Sequence, residues 1–75
     1  MKKLTDELFN RIIERLITDA NDAYTDAKKN PDDKFADGVN FAYSMALDTI
    51  RNHLIAEEYD LEEYGLEEDP IAKYM

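Results

Sequence analysis

Ala27-Lys28-Lys29-Asn30-Pro31-Asp32-Asp33-Lys34-Phe35 is where one helical pattern stops and another begins. Proline disfavours helical dihedrals in the residue before it, so a helix arriving from the N-terminal side ends by about Lys29. Lys28 and Lys29 suit the negative end of its dipole. Pro31 in turn fits the first position of a new helix, with Asn30 as its N-cap and Asp32 and Asp33 behind it. A joint this short predicts two helices folded back as an antiparallel hairpin.

Towards the N-terminus, Thr5 is a good N-cap, Asp6 and Glu7 suit the positive dipole end, and Leu4 can staple onto Phe9. Leu8, Phe9, Ile12, Ile13, Leu16, Ala20, Ala23 and Ala27 recur at steps of three and four, which is helical periodicity. On the other side of the joint, Phe35, Val39, Ala42, Tyr43, Ala46, Leu47, Ile50 and Leu54 form a wide stripe with His53 at its edge. Gly38 interrupts it, at a cost of ~1 kcal/mol relative to Ala, and points to close packing or a kink. Phe41, Met45 and Ile55 project on the opposite side. A two-helix hairpin covers only one of these faces.

The rest of the chain supplies a cover. Asp60-Leu61-Glu62-Glu63 has capping-box spacing, Gly65 is placed to end a single turn, and Asp69-Pro70 starts another. Leu61, Tyr64, Leu66 and Ile71 are expected to pack onto the hairpin while the carboxylates stay in water. The expected fold is therefore all-α: an antiparallel hairpin of two long helices with a short acidic C-terminal helical segment packed on it. It forms one domain, residues 1–75, with helices over about 5–29 and 31–57 and turns over about 60–64 and 70–75.

The segment from Glu57 to Asp69 holds eight carboxylates in thirteen residues and no cation. These are Glu57, Glu58, Asp60, Glu62, Glu63, Glu67, Glu68 and Asp69. Such a run attracts basic surfaces and repels nucleic acid and anionic lipid. The formal net charge of −9, from 18 acids against 9 bases, disfavours direct nucleic-acid binding, where affinity comes from Lys and Arg displacing counterions. Interleaved Tyr59 and Tyr64 are candidate anchors of an interface that the charges steer. Asp19, Asp22 and Asp26 line one edge of the first helix, but Arg11 and Arg15 share that edge, so a solvated face with local ion pairs is the simpler reading.

Several chemistries are disfavoured. Ser44 and His53, the only serine and the only histidine, stand roughly 13 Å apart along one helix, so a Ser-His pair cannot form within one molecule. A lone histidine beside an apolar stripe reads as a packed or capping residue. His53 and Glu57 supply two ligands of one metal at most. Asp60-x-Glu62-x-Tyr64-Gly65 approaches a calcium loop but has Ile71 where the bidentate glutamate belongs. With Gly38 and Gly65 the only glycines, no phosphate loop exists. The expectation is a protein that is not an enzyme and uses no cofactor or metal.

Cysteine is absent, which removes disulfides and thiolate chemistry and fits a reducing cytoplasm. Met1-Lys2-Lys3 lacks the apolar core of a leader, and no apolar run reaches the ~20 residues that span a bilayer.

Phe35-x-x-Gly38-x-x-x-Ala42-Tyr43-x-x-x-Leu47-Asp48-x-Ile50, then Leu54, then Asp60-Leu61-x-x-Tyr64-Gly65-Leu66, resembles a pattern in small uncharacterised acidic helical proteins. Those proteins are encoded by phages and integrated mobile elements of low-GC Gram-positive bacteria. The resemblance implies a short accessory gene acting in the cytoplasm of a bacterial host. Its size and charge are similar to those of phage proteins that block a defence nuclease, anti-CRISPR proteins among them. Two partners follow as expectations: a basic host protein, such as a nucleic-acid-binding nuclease, or a second copy meeting through Phe41, Met45 and Ile55 as a homodimeric bundle.

Overall fold

Thr5 begins the first helix as its sequence suggests, its hydroxyl accepting a hydrogen bond from the Leu8 amide at 3.1 Å. The computed structural model describes residues 3–75; Met1 and Lys2, the start of the segment read as lacking a leader's core, lie outside the described residues. Helix α1 spans Asp6–Lys29 and α2 spans Lys34–Ala56. A 3-10 turn at Leu61–Tyr64 and a short α3 at Pro70–Tyr74 follow. The chain is all-α, and the short C-terminal helix packs on the two long ones.

The joint departs from expectation in one respect. Asn30 is the C-cap of α1: its backbone amide and its Nδ2 both donate to the Asp26 carbonyl at 3.0 Å. Pro31 and Asp32 form a turn, and Asp33 rather than Asn30 caps α2, accepting from the Phe35 and Ala36 amides at 3.0 and 3.3 Å. Asn30 is already spent on the outgoing helix, whereas a carboxylate gains extra stabilisation at the incoming helix's positive end. Gly38 lies within α2 and admits no close neighbour, since a Cβ built there would meet nothing within 4 Å.

Two left-handed turns then bring the chain back over the hairpin. At the end of α2, Tyr59 N–H donates to the Leu54 carbonyl (2.9 Å) and Glu58 N–H to that of Ile55 (3.0 Å). This is a Schellman arrangement with glutamate, at φ 62°, where glycine is usual. The second turn repeats it with the favoured residue. Gly65 has φ 71°, and Leu66 N–H donates to the Leu61 carbonyl at 3.0 Å. A Cβ there would also come into van der Waals contact with Ile17 Cδ1, at 3.4 Å.

Ile13, Ala20, Leu47, Leu54, Leu66 and Tyr74 form the core, with Phe9, Leu16, Ile17, Tyr24, Tyr43, Ile50, Leu61 and Tyr64 packed against it. Both long helices are rolled relative to their apolar stripes, towards the C-terminal segment. On α1 the roll brings in Ile17, outside the expected stripe, and leaves Leu8 and Ile12 at 42% and 44% exposed. On α2 it brings in Asn40, Ser44 and Arg51 and leaves Phe35, Ala42 and Ala46 in water, Phe35 at 79% exposed. The reason is that α2 must turn polar donors towards the backbone carbonyls of the returning segment, a demand that apolar periodicity does not encode. Leu61, Tyr64 and Leu66 pack as expected, Ile71 is half-buried, and Pro70 and Tyr74 are buried as well.

Two substitutions test these assignments by urea melts followed by circular dichroism. Gly38→Ala should stabilise by ~0.5–1 kcal/mol, because the helix gains propensity and nothing is crowded. Asp33→Ala should cost ~1 kcal/mol and Asn30→Ala less; the reverse order would mean the cap is misplaced.

Candidate partner-binding surface

Three polar side chains of the hairpin, Arg51, Asn40 and Asn21, hold the C-terminal segment down, and apolar periodicity pointed to none of them. Arg51 Nε donates to the Leu66 carbonyl at 2.9 Å, with its Nη2 at 3.4 Å from that of Glu67. Asn40 Nδ2 donates to the Tyr74 carbonyl at 2.9 Å. The Tyr74 hydroxyl crosses to α1 and donates to Asn21 Oδ1 at 2.6 Å. Ser44 is fully buried and satisfies its hydroxyl on the Asn40 carbonyl. The signal that locates those on α2 is their spacing: Asn40, Ser44, Leu47, Arg51 and Leu54 step by four and three, a single helix face. Edge-to-face pairs of Tyr24 with Tyr74 (5.7 Å) and Phe9 with Tyr64 (5.6 Å) close the two ends.

With its apolar side spent inward, the segment turns its carboxylates outward. Glu57, Glu58, Asp60, Glu62, Glu63, Glu67, Glu68 and Asp69 are all exposed. Two of them also have local structural duties: Asp60 caps the 3-10 turn through the Glu62 amide (3.0 Å) and Asp69 caps α3 through the Ile71 amide (2.9 Å). Among the described residues the single ion pair is Arg15–Asp19 at 3.0 Å, far from this face in sequence. It holds the Arg15 guanidinium above its usual range, first through the Asp19 hydrogen bond and then through that residue's charge.

Tyr59 and Tyr64 stand edge to face at 6.3 Å, Tyr59 exposed and Tyr64 half-buried. Desolvation, followed by the charges of Asp6 and Glu63, pushes the Tyr64 hydroxyl above the ordinary tyrosine range. Tyr64 also walls a groove of about 460 Å³ between α1 and the 3-10 turn, lined by Asn10, Glu14, Ile17, Thr18, Glu63 and Gly65. The groove carries two carboxylates, and Asn10 Oδ1 is a buried acceptor with no donor from the chain. Chemically it offers acceptors to a donor-rich cationic group.

The other sequence candidates lie apart from this face. Phe41, Met45 and Ile55 are exposed, but Asp48 and Asn52 share their strip and bond each other at 3.3 Å. The His53 side chain is exposed rather than packed, and only its carbonyl takes part in capping, accepting from Glu57 N–H at 3.2 Å. Among the described residues no three His, Cys, Asp or Glu side chains gather as a metal-holding group, and no helix is long and apolar enough to cross a membrane.

Arg51→Ala should loosen the acidic segment selectively. Hydrogen exchange at Leu66 and the amides after it should accelerate by the ~1.5–3 kcal/mol of a charged hydrogen bond, with α1 protection less affected. Unchanged exchange there would show that Leu66 and Tyr74 burial suffices. No family model, curated protein or solved structure matches this chain.

Proposed function

We propose that this chain is a non-enzymatic binding module that inhibits a basic nucleic-acid-binding protein by occupying its cationic surface. The observation carrying this reading is the ordered acidic face: eight exposed carboxylates between Glu57 and Asp69, on a segment anchored to the hairpin through Leu66, Pro70 and Tyr74. A flexible acidic tail would lose ordering entropy on binding; a face already packed loses much less. Tyr59 offers an exposed aromatic contact beside the charges. The groove of Glu14, Glu63 and Asn10 would receive one lysine or arginine side chain of the partner.

The resemblance to acidic proteins of phages and mobile elements suggests the class of target, a host defence nuclease, with the module acting like an anti-CRISPR protein in the bacterial cytoplasm. Repulsion of phosphate by a net charge of −9 makes the partner protein, and not nucleic acid, the direct ligand.

The test is capture of tagged protein's partners from a Gram-positive host lysate, then titration of the retained protein with salt. A basic nucleic-acid-binding protein should be retained, lose its nucleic-acid binding, and bind at least ~10-fold more weakly at ~500 mM than at ~50 mM salt. Glu14→Lys with Glu63→Lys should weaken it further at low salt. Salt-independent affinity, or a partner that still binds nucleic acid in the complex, would sink the reading.

A further inference from the structure

A pair of packed helices has two sides, and the C-terminal segment covers one of them. Asn21, Asn40 and Arg51 face that cover through hydrogen bonds. At ~100° per residue, the unburied remainder of both apolar stripes falls on the other side. There Leu8 and Ile12 are exposed on α1, beside half-buried Leu16 in a shallow groove with Arg11 and Arg15. On α2 the same side carries exposed Phe35, Ala42 and Ala46 with half-buried Val39, Tyr43 and Ile50. Phe35 overhangs a cleft of about 260 Å³ shared with Ala23, Ala36 and Val39. Small Ala42 and Ala46 admit close approach of another helix.

Size and shape agree. A compact chain of this length has a radius of gyration of ~11 Å, whereas this one measures 13.5 Å and is a slab of 43 × 26 × 16 Å.

The charges bordering this face identify the occupant. On α1, Leu8, Ile12, Asp19 and Asp26 fall in one ~40° sector, with Arg11, Arg15, Asp22 and, in the last turn, Lys29 in the next. Both arginines lie in the first half of the helix and the aspartates in the second. Arg11 with Asp26, and Arg15 with Asp22, are centred on one point between Thr18 and Asp19. A two-fold axis crossing α1 at that point sets each arginine against an aspartate of an antiparallel second copy, and the reverse pairs follow by symmetry. Arg15 spends Nε on Asp19 of its own helix, which leaves its terminal nitrogens to point outward.

We propose that the open hairpin face is a self-complementary interface, on which two copies of this chain pair antiparallel as a four-helix bundle about an axis between Thr18 and Asp19, with Ile12, Leu16 and the Ala42/Ala46 strip inside it. This is not the pairing through Phe41, Met45 and Ile55. It stands independently of the acidic-face reading, and it would leave both acidic faces outward on opposite sides of the dimer.

Sedimentation equilibrium of the full chain from ~1 µM to ~1 mM is the experiment. The mass should rise from 8.7 kDa towards twice that value. Ile12→Glu should weaken association at least ~10-fold while Phe41→Glu leaves it within ~2-fold. Arg11→Asp and Asp26→Arg should each weaken it several-fold, and the double variant should restore it. The two residues stand ~22 Å apart along one helix, so that rescue can only act between copies. Circular dichroism checks that each variant is folded. A monomer at every concentration, a dimer broken by Phe41→Glu and not by Ile12→Glu, or charge reversals that fail to rescue each other would overturn the proposal.

Discussion

Two helices in contact bury one stripe of each and leave a groove on either side, and the structure is organised by how those grooves are filled. Three of the hairpin's own buried residues are small, Ala20, Ala23 and Ala27, and small side chains contribute little apolar area. The larger buried residues, Ile13, Leu47 and Leu54, need a third layer to leave water, and Leu66, Pro70 and Tyr74 supply it. The acidic segment is thus part of the core's construction before it is anything else. Its carboxylates occupy the outer surface because its apolar residues are committed inward.

This arrangement settles the tension between an acidic run and a folded one. Eight carboxylates over Glu57–Asp69 repel each other, and repulsion alone would extend the segment into solvent. Against it stand two left-handed turns, two aspartate caps, the buried Leu66 and Tyr74, and Arg51 on the segment's carbonyls. Arg51 reaches backbone and not side chains, so it leaves the outward charge unneutralised. Glu58 in a left-handed turn carries a local cost of ~1–2 kcal/mol that the docked segment must offset.

Much of this fold was legible in the sequence because the decisive signals are local. Thr5, the Lys28–Asp33 joint, Asp60, Gly65 and Asp69-Pro70 each act within a few residues, and the hairpin with its C-terminal cover follows from them. The exact start of α2 was not legible, since Asn30 and Asp33 are both competent caps and the choice depends on which helix end uses Asn30. The roll of both helices was hidden for a longer-range reason. Apolar periodicity assigned Leu8, Ile12, Phe35, Ala42 and Ala46 inward, but Asn40 and Arg51 win the inner face by bonding carbonyls 15 and 34 residues away. The composition of the acidic face could be read directly, whereas the groove at Asn10, Glu14 and Glu63 exists only once the 3-10 turn lies on α1.

The order in which the layers are synthesised adds a consequence in time. The hairpin is complete at Ala56, while the residues that cover its groove, Leu61 to Tyr74, come later. At ~5–20 residues per second, the ribosome needs about one to three seconds to make them. A hairpin that forms before they dock leaves Ile13, Leu47 and Leu54 without a lid. The nascent hairpin is then a client for any hydrophobic surface nearby, and its first competent cover is the segment of its own chain that brings eight negative charges with it.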